Sequence, residues 1–136
     1  MTYHVGDTLP EIVTPVVDRL RIAYMAVAMR DPNLVHVEPD YAAKAGLPSV
    51  IAHGTFAVSY LGAAVAWAAG VDALSRLKVD LVAPVFPGER LRTEATVVDV
   101  QPSDTGPVVS VRLSATTTDG KPVARGRAEF VDREAQ

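Results

Sequence analysis

The sequence contains no cysteine. Disulfide bonds, thiol nucleophiles and zinc sites built from thiolates are therefore excluded. The first residues also lack the basic and apolar segments that mark a secretory signal peptide. We therefore expect a cytoplasmic protein.

Positive charge is scarce and dispersed. The chain has 13 Lys and Arg against 16 Asp and Glu, a formal net charge of −3 at pH 7, and no run of basic residues longer than two. A nucleic-acid-binding surface requires clustered basic side chains. The composition therefore predicts no nucleic-acid partner.

Aromatic residues are few, at 6% of the chain, although 49% of the residues are hydrophobic. Val and Ala, 22 and 20 in number, supply most of these hydrophobic positions. A length of 136 residues predicts a single domain, residues 1–136, with enough apolar surface for a core. Such small side chains allow close packing of elements or leave space for a ligand.

Residues 45–71 contain no charged side chain, and these 27 residues are long enough to cross a bilayer. The segment nevertheless includes Pro48, His53 and several glycines, and its middle is mostly Ala. Such a composition gives a weak membrane signal. We interpret it as a long apolar helix over residues 55–69, buried on all sides within the protein, and we expect no membrane partner.

The remaining pattern predicts helices first and strands last. Asp18 is a suitable N-cap for a helix over residues 18–30, which Pro32 ends, and residues 39–45 form a short helix closed by Gly46. Turn sequences such as Asp119-Gly120 separate four Val- and Thr-rich segments. The strands are expected at residues 76–83, 90–100, 107–118 and 122–132. The fold class is therefore α+β, with an antiparallel sheet wrapped around the apolar helix.

Polar residues that could take part in catalysis lie between residues 31 and 54. Asp31 follows the end of a helix, where the dipole disfavours a carboxylate, and His36 lies five residues later in the same non-helical segment. A carboxylate and an imidazole close together can share a water molecule and perform acid–base catalysis. Gly54 precedes the apolar helix, where free backbone N–H groups can polarise a carbonyl.

Structural interpretations of these residues remain open. Residues 31–33 form a favourable turn sequence, and His36 between two valines can be a buried structural histidine. We favour a helix-capping role for His53. Asp31, His36 and His53 do not have a familiar ligand spacing, so no metal is predicted.

Three short motifs occur in order along this part of the chain. They are Asp31-x-Asn33-x-x-His36, Tyr41-Ala42-x-x-x-Gly46-Leu47 and Ile51-Ala52-His53-Gly54. Together they resemble the hydratase-2 motif of the MaoC-like enzymes, which are (R)-specific enoyl-CoA hydratases and related 3-hydroxyacyl-thioester dehydratases. The resemblance continues through residues 82–89 and covers roughly residues 5–130.

The resemblance implies a hot-dog fold and a hydratase or dehydratase that needs no cofactor. Asp31 and His36 match the catalytic pair, and Asn33 matches the amide that supports the catalytic loop. Gly54 matches the glycine whose N–H donates to the thioester oxygen. The implied substrates are acyl-CoA or acyl-carrier-protein thioesters, and the implied assembly is a homodimer or a heterodimer with a second MaoC-like chain.

The sequence also departs from the family pattern. Leu34 occupies the position of the usual proline after the asparagine, Glu38 replaces an aspartate, and no serine lies near Gly62 on the central helix. Two alternatives stay open: a tunnel-shaping subunit of a heteromeric dehydratase, and a hot-dog thioesterase. The thioesterase is less favoured because many of those enzymes carry a carboxylate on the central helix, and residues 45–71 have none.

Overall fold

The computed structural model describes residues 2–135. Within this range three helices precede four strands, and two 3-10 turns occur at Leu34–His36 and Arg133–Ala135. The helices are α1 (Arg19–Ala28), α2 (Pro39–Lys44) and α3 (Thr55–Ala69). The strands are β1 (Leu74–Leu81), β2 (Leu91–Gln101), β3 (Val108–Thr117) and β4 (Pro122–Val131).

The strands form one antiparallel sheet in the order β1-β4-β3-β2. Alternate side chains of each strand face the core, as Val111 and Leu113 do on either side of the exposed Arg112. The N-terminal segment covers the outer edge of β2, since the Leu9 N–H donates to the Ala95 carbonyl. Among the described residues, no strand pairs with the outer edge of β1.

Helix α3 packs on the inner face of this sheet and contacts all four strands. The residues of α3 that are buried are Phe56, Ala57, Leu61, Ala64 and Val65. The opposite side is open, and Trp67 there is 74% exposed. The prediction of a helix buried on all sides is therefore wrong for the single chain, because the sheet covers only one side of it.

The α+β class and the four antiparallel strands are confirmed, and β1 begins and ends two residues earlier than predicted. Asp18 caps α1 as predicted, since its carboxylate accepts the Arg21 N–H at 2.8 Å. The segment after α1, expected to be non-helical, contains the 3-10 turn Leu34–His36. No helix within residues 2–135 is long and apolar enough to span a bilayer.

Candidate active site

Asp31 is positioned by the way α1 ends. Its backbone N–H donates to the Ala26 carbonyl at 3.0 Å, and the Arg30 N–H donates to the Val27 carbonyl at 3.1 Å. These two bonds form a Schellman motif, in which the residue after the helix adopts a left-handed conformation. Arg30 holds that position with a φ of 50°, which is unusual for a residue other than glycine. The motif thus fixes the backbone of Asp31 against α1.

A chain of local hydrogen bonds continues from Asp31 into the next turn. The Asp31 Oδ1 accepts the Asn33 backbone N–H at 3.0 Å, and the Asn33 Oδ1 accepts the Val35 N–H at 3.1 Å. Asn33 is thereby the N-cap of the 3-10 turn that carries His36. The hydrogen bonds of Asn33 thus link Asp31 to the turn that carries His36. One Asp31 oxygen is held by the backbone, and Oδ2 faces the site.

His36 is buried and has a defined orientation. Its Nδ1 lies 2.7 Å from the Ile51 carbonyl oxygen. A carbonyl only accepts hydrogen bonds, so Nδ1 carries the proton and Nε2 of the neutral ring carries the lone pair. This Nε2 lies 3.5 Å from Asp31 Oδ2. A carboxylate oxygen from the loop after α1 and an imidazole nitrogen from the 3-10 turn therefore face each other.

His53 completes a group of three titratable side chains. Its Nε2 lies 3.7 Å from Asp31 Oδ2, and its ring stacks on that of His36. Burial, and next the neighbouring His36, lower the pKa of His53, while Asp31 acts in the opposite direction. Neither ring nitrogen of His53 has a hydrogen-bond partner among residues 2–135.

The predicted capping role of His53 is not observed. Gly54 is the N-cap residue of α3, and no side chain caps this helix end. The ring of His53 instead turns onto His36, while the His53 backbone carbonyl accepts the Phe56 N–H at 3.0 Å. The N–H of Gly54 has no acceptor within the described part of the chain. An uncapped helix N-terminus of this kind can bind an electronegative oxygen.

A cavity of about 500 Å³ joins these groups. Asp31, His36, His53 and Gly54 form its polar wall, and Met29, Val58 and Leu81 are among its apolar lining residues. A second space, of about 320 Å³, continues past the two histidines toward residues 81–85. A separate space of about 390 Å³ at the outer face of the sheet is not near this polar wall. The site thus combines acid–base groups, free N–H donors and an apolar surface.

Sequence reasoning missed Thr55. Its Oγ1 is buried without a hydrogen-bond partner among the described residues, and Thr55 lines the same cavity. The available signal was a hydroxyl in the first turn of a helix whose N-cap is glycine. Leu81 was also missed, because only the folded sheet brings the end of β1 to Gly54.

Asp31, His36 and His53 are the one group of potential metal ligands found among the described residues, with ligand atoms within 4.8 Å of one another. The ring planes of the histidines differ by only 22°. An ion in line with the lone pair of one stacked ring would lie far outside the plane of the other. This geometry suits proton transfer better than coordination. The prediction that no metal is used stays a prediction.

Several known proteins are similar to this chain in sequence or in fold. A UPF0336 protein of Saccharopolyspora erythraea is 31% identical over 139 residues, covering 95% of this chain and 88% of the relative. The ChsH1–ChsH2 complex of Mycobacterium tuberculosis contains a chain with 21% identity and a TM-score of 0.84, covering 97% of this chain and 100% of that one. R-hydratase PhaJ1 of Pseudomonas aeruginosa has 24% identity and a TM-score of 0.83, covering 96% of this chain and 82% of that one.

The structural similarities confirm the hot-dog fold, with an antiparallel sheet packed on a central helix. Residues 7–119 match the family described as "MaoC like domain". That range includes the predicted catalytic pair, α3 and most of the sheet. The chain therefore belongs to the MaoC-like dehydratase domain family.

Proposed function

We propose that this protein interconverts a trans-2-enoyl thioester and the corresponding (R)-3-hydroxyacyl thioester. The observation that carries the proposal is the convergence of three groups on one cavity. Asp31 Oδ2 and His36 Nε2 face each other at 3.5 Å, and the uncapped N-terminus of α3 opens onto the same space.

The N-terminus of α3 would receive the thioester carbonyl. The Gly54 N–H donates to the carbonyl oxygen, and the positive end of the helix dipole stabilises negative charge there. When water adds to Cβ, the electron pair of the double bond moves toward this oxygen and gives an enolate-like state. Glycine allows close approach of the substrate.

Asp31 and His36 would hold the attacking water. One proton leaves the water as its oxygen bonds to Cβ, and one proton is delivered to Cα, so that the elements of water are added in full. Because Nδ1 of His36 is bound to Ile51, only Nε2 can exchange a proton with the reactants. Dehydration is the same path reversed. No step requires a cofactor.

The substrate carrier in this proposal is coenzyme A or an acyl carrier protein. Apolar side chains at the cavity, including Met29, Val58 and Leu81, provide a surface for the acyl chain. We place the reaction in the cytoplasm, within a single domain of residues 1–136.

We further propose that the active form is a dimer. The outer edge of β1 has no partner strand within the described chain, and Leu81 and Val82 at its end are exposed beside the cavity. An unpaired edge can add a strand from a second chain. The second chain is either another copy or a different MaoC-like subunit, in which case this chain can have a mainly tunnel-shaping role. The similarity to the ChsH1–ChsH2 complex supports considering the second case.

The test is an activity screen of the purified protein on trans-2-enoyl-CoA thioesters of increasing chain length. We expect loss of the enone absorbance, and chiral analysis should identify the (R)-3-hydroxyacyl product. An (S) product would contradict the proposal. Activity that appears only after a second MaoC-like chain is added would support the heteromeric alternative. Release of free CoA thiol without hydration would support the thioesterase.

A further inference from the structure

The outer face of the sheet, away from α3, carries a row of three basic residues. Lys78 on β1 lies opposite Arg127 on β4, and Arg127 lies opposite Arg112 on β3. Arg125 stands two residues from Arg127 on the same outward side of β4. We call these four residues the outer basic cluster. Like charges directly opposite one another in a sheet are destabilising, so this arrangement has a cost in the free protein.

Carboxylates lie beside the outer basic cluster without neutralising it. Asp80 is directly opposite Arg125, and Glu94 stands on β2 at the far side. No ion pair or hydrogen bond joins any of these six charged side chains to another described residue. Elsewhere the exposed charges do pair, as Arg92 and Glu11 do at 2.8 Å. The guanidinium and ammonium donors of the cluster are therefore free.

A shallow concavity of about 390 Å³ lies over the cluster. Four cations and two carboxylates line it, a formal charge of +2 in a chain whose net charge is −3. Thr96 and Ser114 add hydroxyl groups between the charged residues. The volume falls in the range of small-molecule sites.

We propose that the outer basic cluster binds an organic phosphate with two linked phosphate groups. Arginine forks match phosphate oxygens with two hydrogen bonds each. Adjacent strands are separated by about 4.8 Å, so Arg112 and Arg127 can reach neighbouring phosphates at the same time. An anion with several charges would offset the repulsion along the row. This binding site lies on the opposite face of the sheet from the acid–base groups and does not depend on the proposed reaction.

A small polyanion fits these observations better than a second copy of the chain. Two copies meeting through this face would bring together two surfaces of like net charge. Diphosphate groups occur both in free nucleotides and in coenzyme A, and the site chemistry is the same for both sources. The experiment therefore compares them.

The test is isothermal titration calorimetry with inorganic pyrophosphate, ADP and coenzyme A. The variant is the double substitution Arg112→Gln and Arg127→Gln, which should fold normally because both side chains are exposed and unpaired. Arg90→Gln is the control, since it removes one exposed arginine outside the concavity. We expect the double variant to weaken pyrophosphate binding at least about tenfold, and added salt to weaken wild-type binding.

ADP and coenzyme A distinguish the two possible sources of the diphosphate group. Similar affinities for ADP and coenzyme A, both weakened in the double variant, would support a free nucleotide. Tighter binding of coenzyme A that the double variant also weakens would support the carrier of a thioester, whereas coenzyme A binding that the double variant retains belongs to the active-site cavity. The proposal is overturned if the wild-type protein binds none of the three, or if the double variant binds pyrophosphate as the wild type does. Salt-sensitive self-association that the double variant abolishes, without phosphate binding, would assign the face to a second copy instead.

A stability measurement gives a second readout. The double variant removes the repulsion along the row, so the free protein should become slightly more stable and should lose the thermal stabilisation given by pyrophosphate. A variant that is unstable in the free state would show that the arginines support the sheet, and this result would also overturn the proposal.

Discussion

The imidazole rings of His36 and His53 stack with their centroids 3.7 Å apart and their planes 22° from parallel. Both side chains are buried, so two positive charges face to face would be poorly solvated. Burial and the proximity of His36 lower the pKa of His53. His53 is therefore neutral at neutral pH. The proton transfers of the proposed reaction are left to Asp31 and His36.

The lowered pKa of His53 predicts acid sensitivity. In the unfolded chain His53 takes up a proton near its ordinary pKa of about 6.5, whereas the folded protein takes it up only at lower pH. Between these values the unfolded state binds more protons, so the free energy of unfolding falls as the pH drops below about 6.5. In His53→Gln this pH dependence should be shallower. Denaturant unfolding at several values from about pH 5 to about pH 8, the range in which histidine titrates, measures this pH dependence.

The acid–base pair gives the second prediction. Asp31→Asn should lower turnover of an enoyl-CoA by roughly 10²–10⁴-fold, because the amide cannot accept a proton. An Asn oxygen can still accept the Asn33 N–H, so the unfolding midpoint should stay near that of the wild type. His36→Gln should lower turnover by a similar factor. Near-wild-type rates in either variant would refute the assigned roles.

The helices and strands could be predicted from the sequence because the residues that begin and end them act locally. Asp18 before α1 and Asp119-Gly120 between β3 and β4 each mark a boundary where the structure has one. The burial of α3 could not be predicted in the same way. An apolar composition does not reveal that the sheet covers one side only and leaves Trp67 exposed.

The candidate site could be predicted only in part from the sequence. The motif spacing identified Asp31, His36 and Gly54, and the structure brings them to one cavity. The stacking of His53 on His36 depends on how the chain between residues 36 and 53 returns, which no local pattern encodes. The same is true of Leu81, which reaches Gly54 only through the placement of β1 against α3.

Arg30 provides a prediction about stability beside the site. Its left-handed conformation costs a non-glycine residue about 1 kcal/mol, and glycine is the usual residue at this place in a Schellman motif. Arg30→Gly should therefore leave the protein equally stable or more stable by up to about 1 kcal/mol. Chemical denaturation tests this. A loss of more than about 1 kcal/mol would mean that the Arg30 side chain itself stabilises the turn.

The contact between Leu81 and Gly54 gives the last prediction. A methyl group added to Gly54 would collide with Leu81 Cδ1, but this side chain is 59% exposed and can move away. Gly54→Ala should thus change stability little, while the methyl group and the displaced Leu81 obstruct the thioester oxygen and lower kcat/KM on the order of 10–100-fold. Gly62→Ala is the matched control on the same helix, where the added methyl only touches Leu77 at 3.4 Å. It should raise stability by up to about 1 kcal/mol and leave turnover unchanged. Equal activity of the two variants would contradict the close approach of the thioester oxygen to Gly54 in the proposed mechanism.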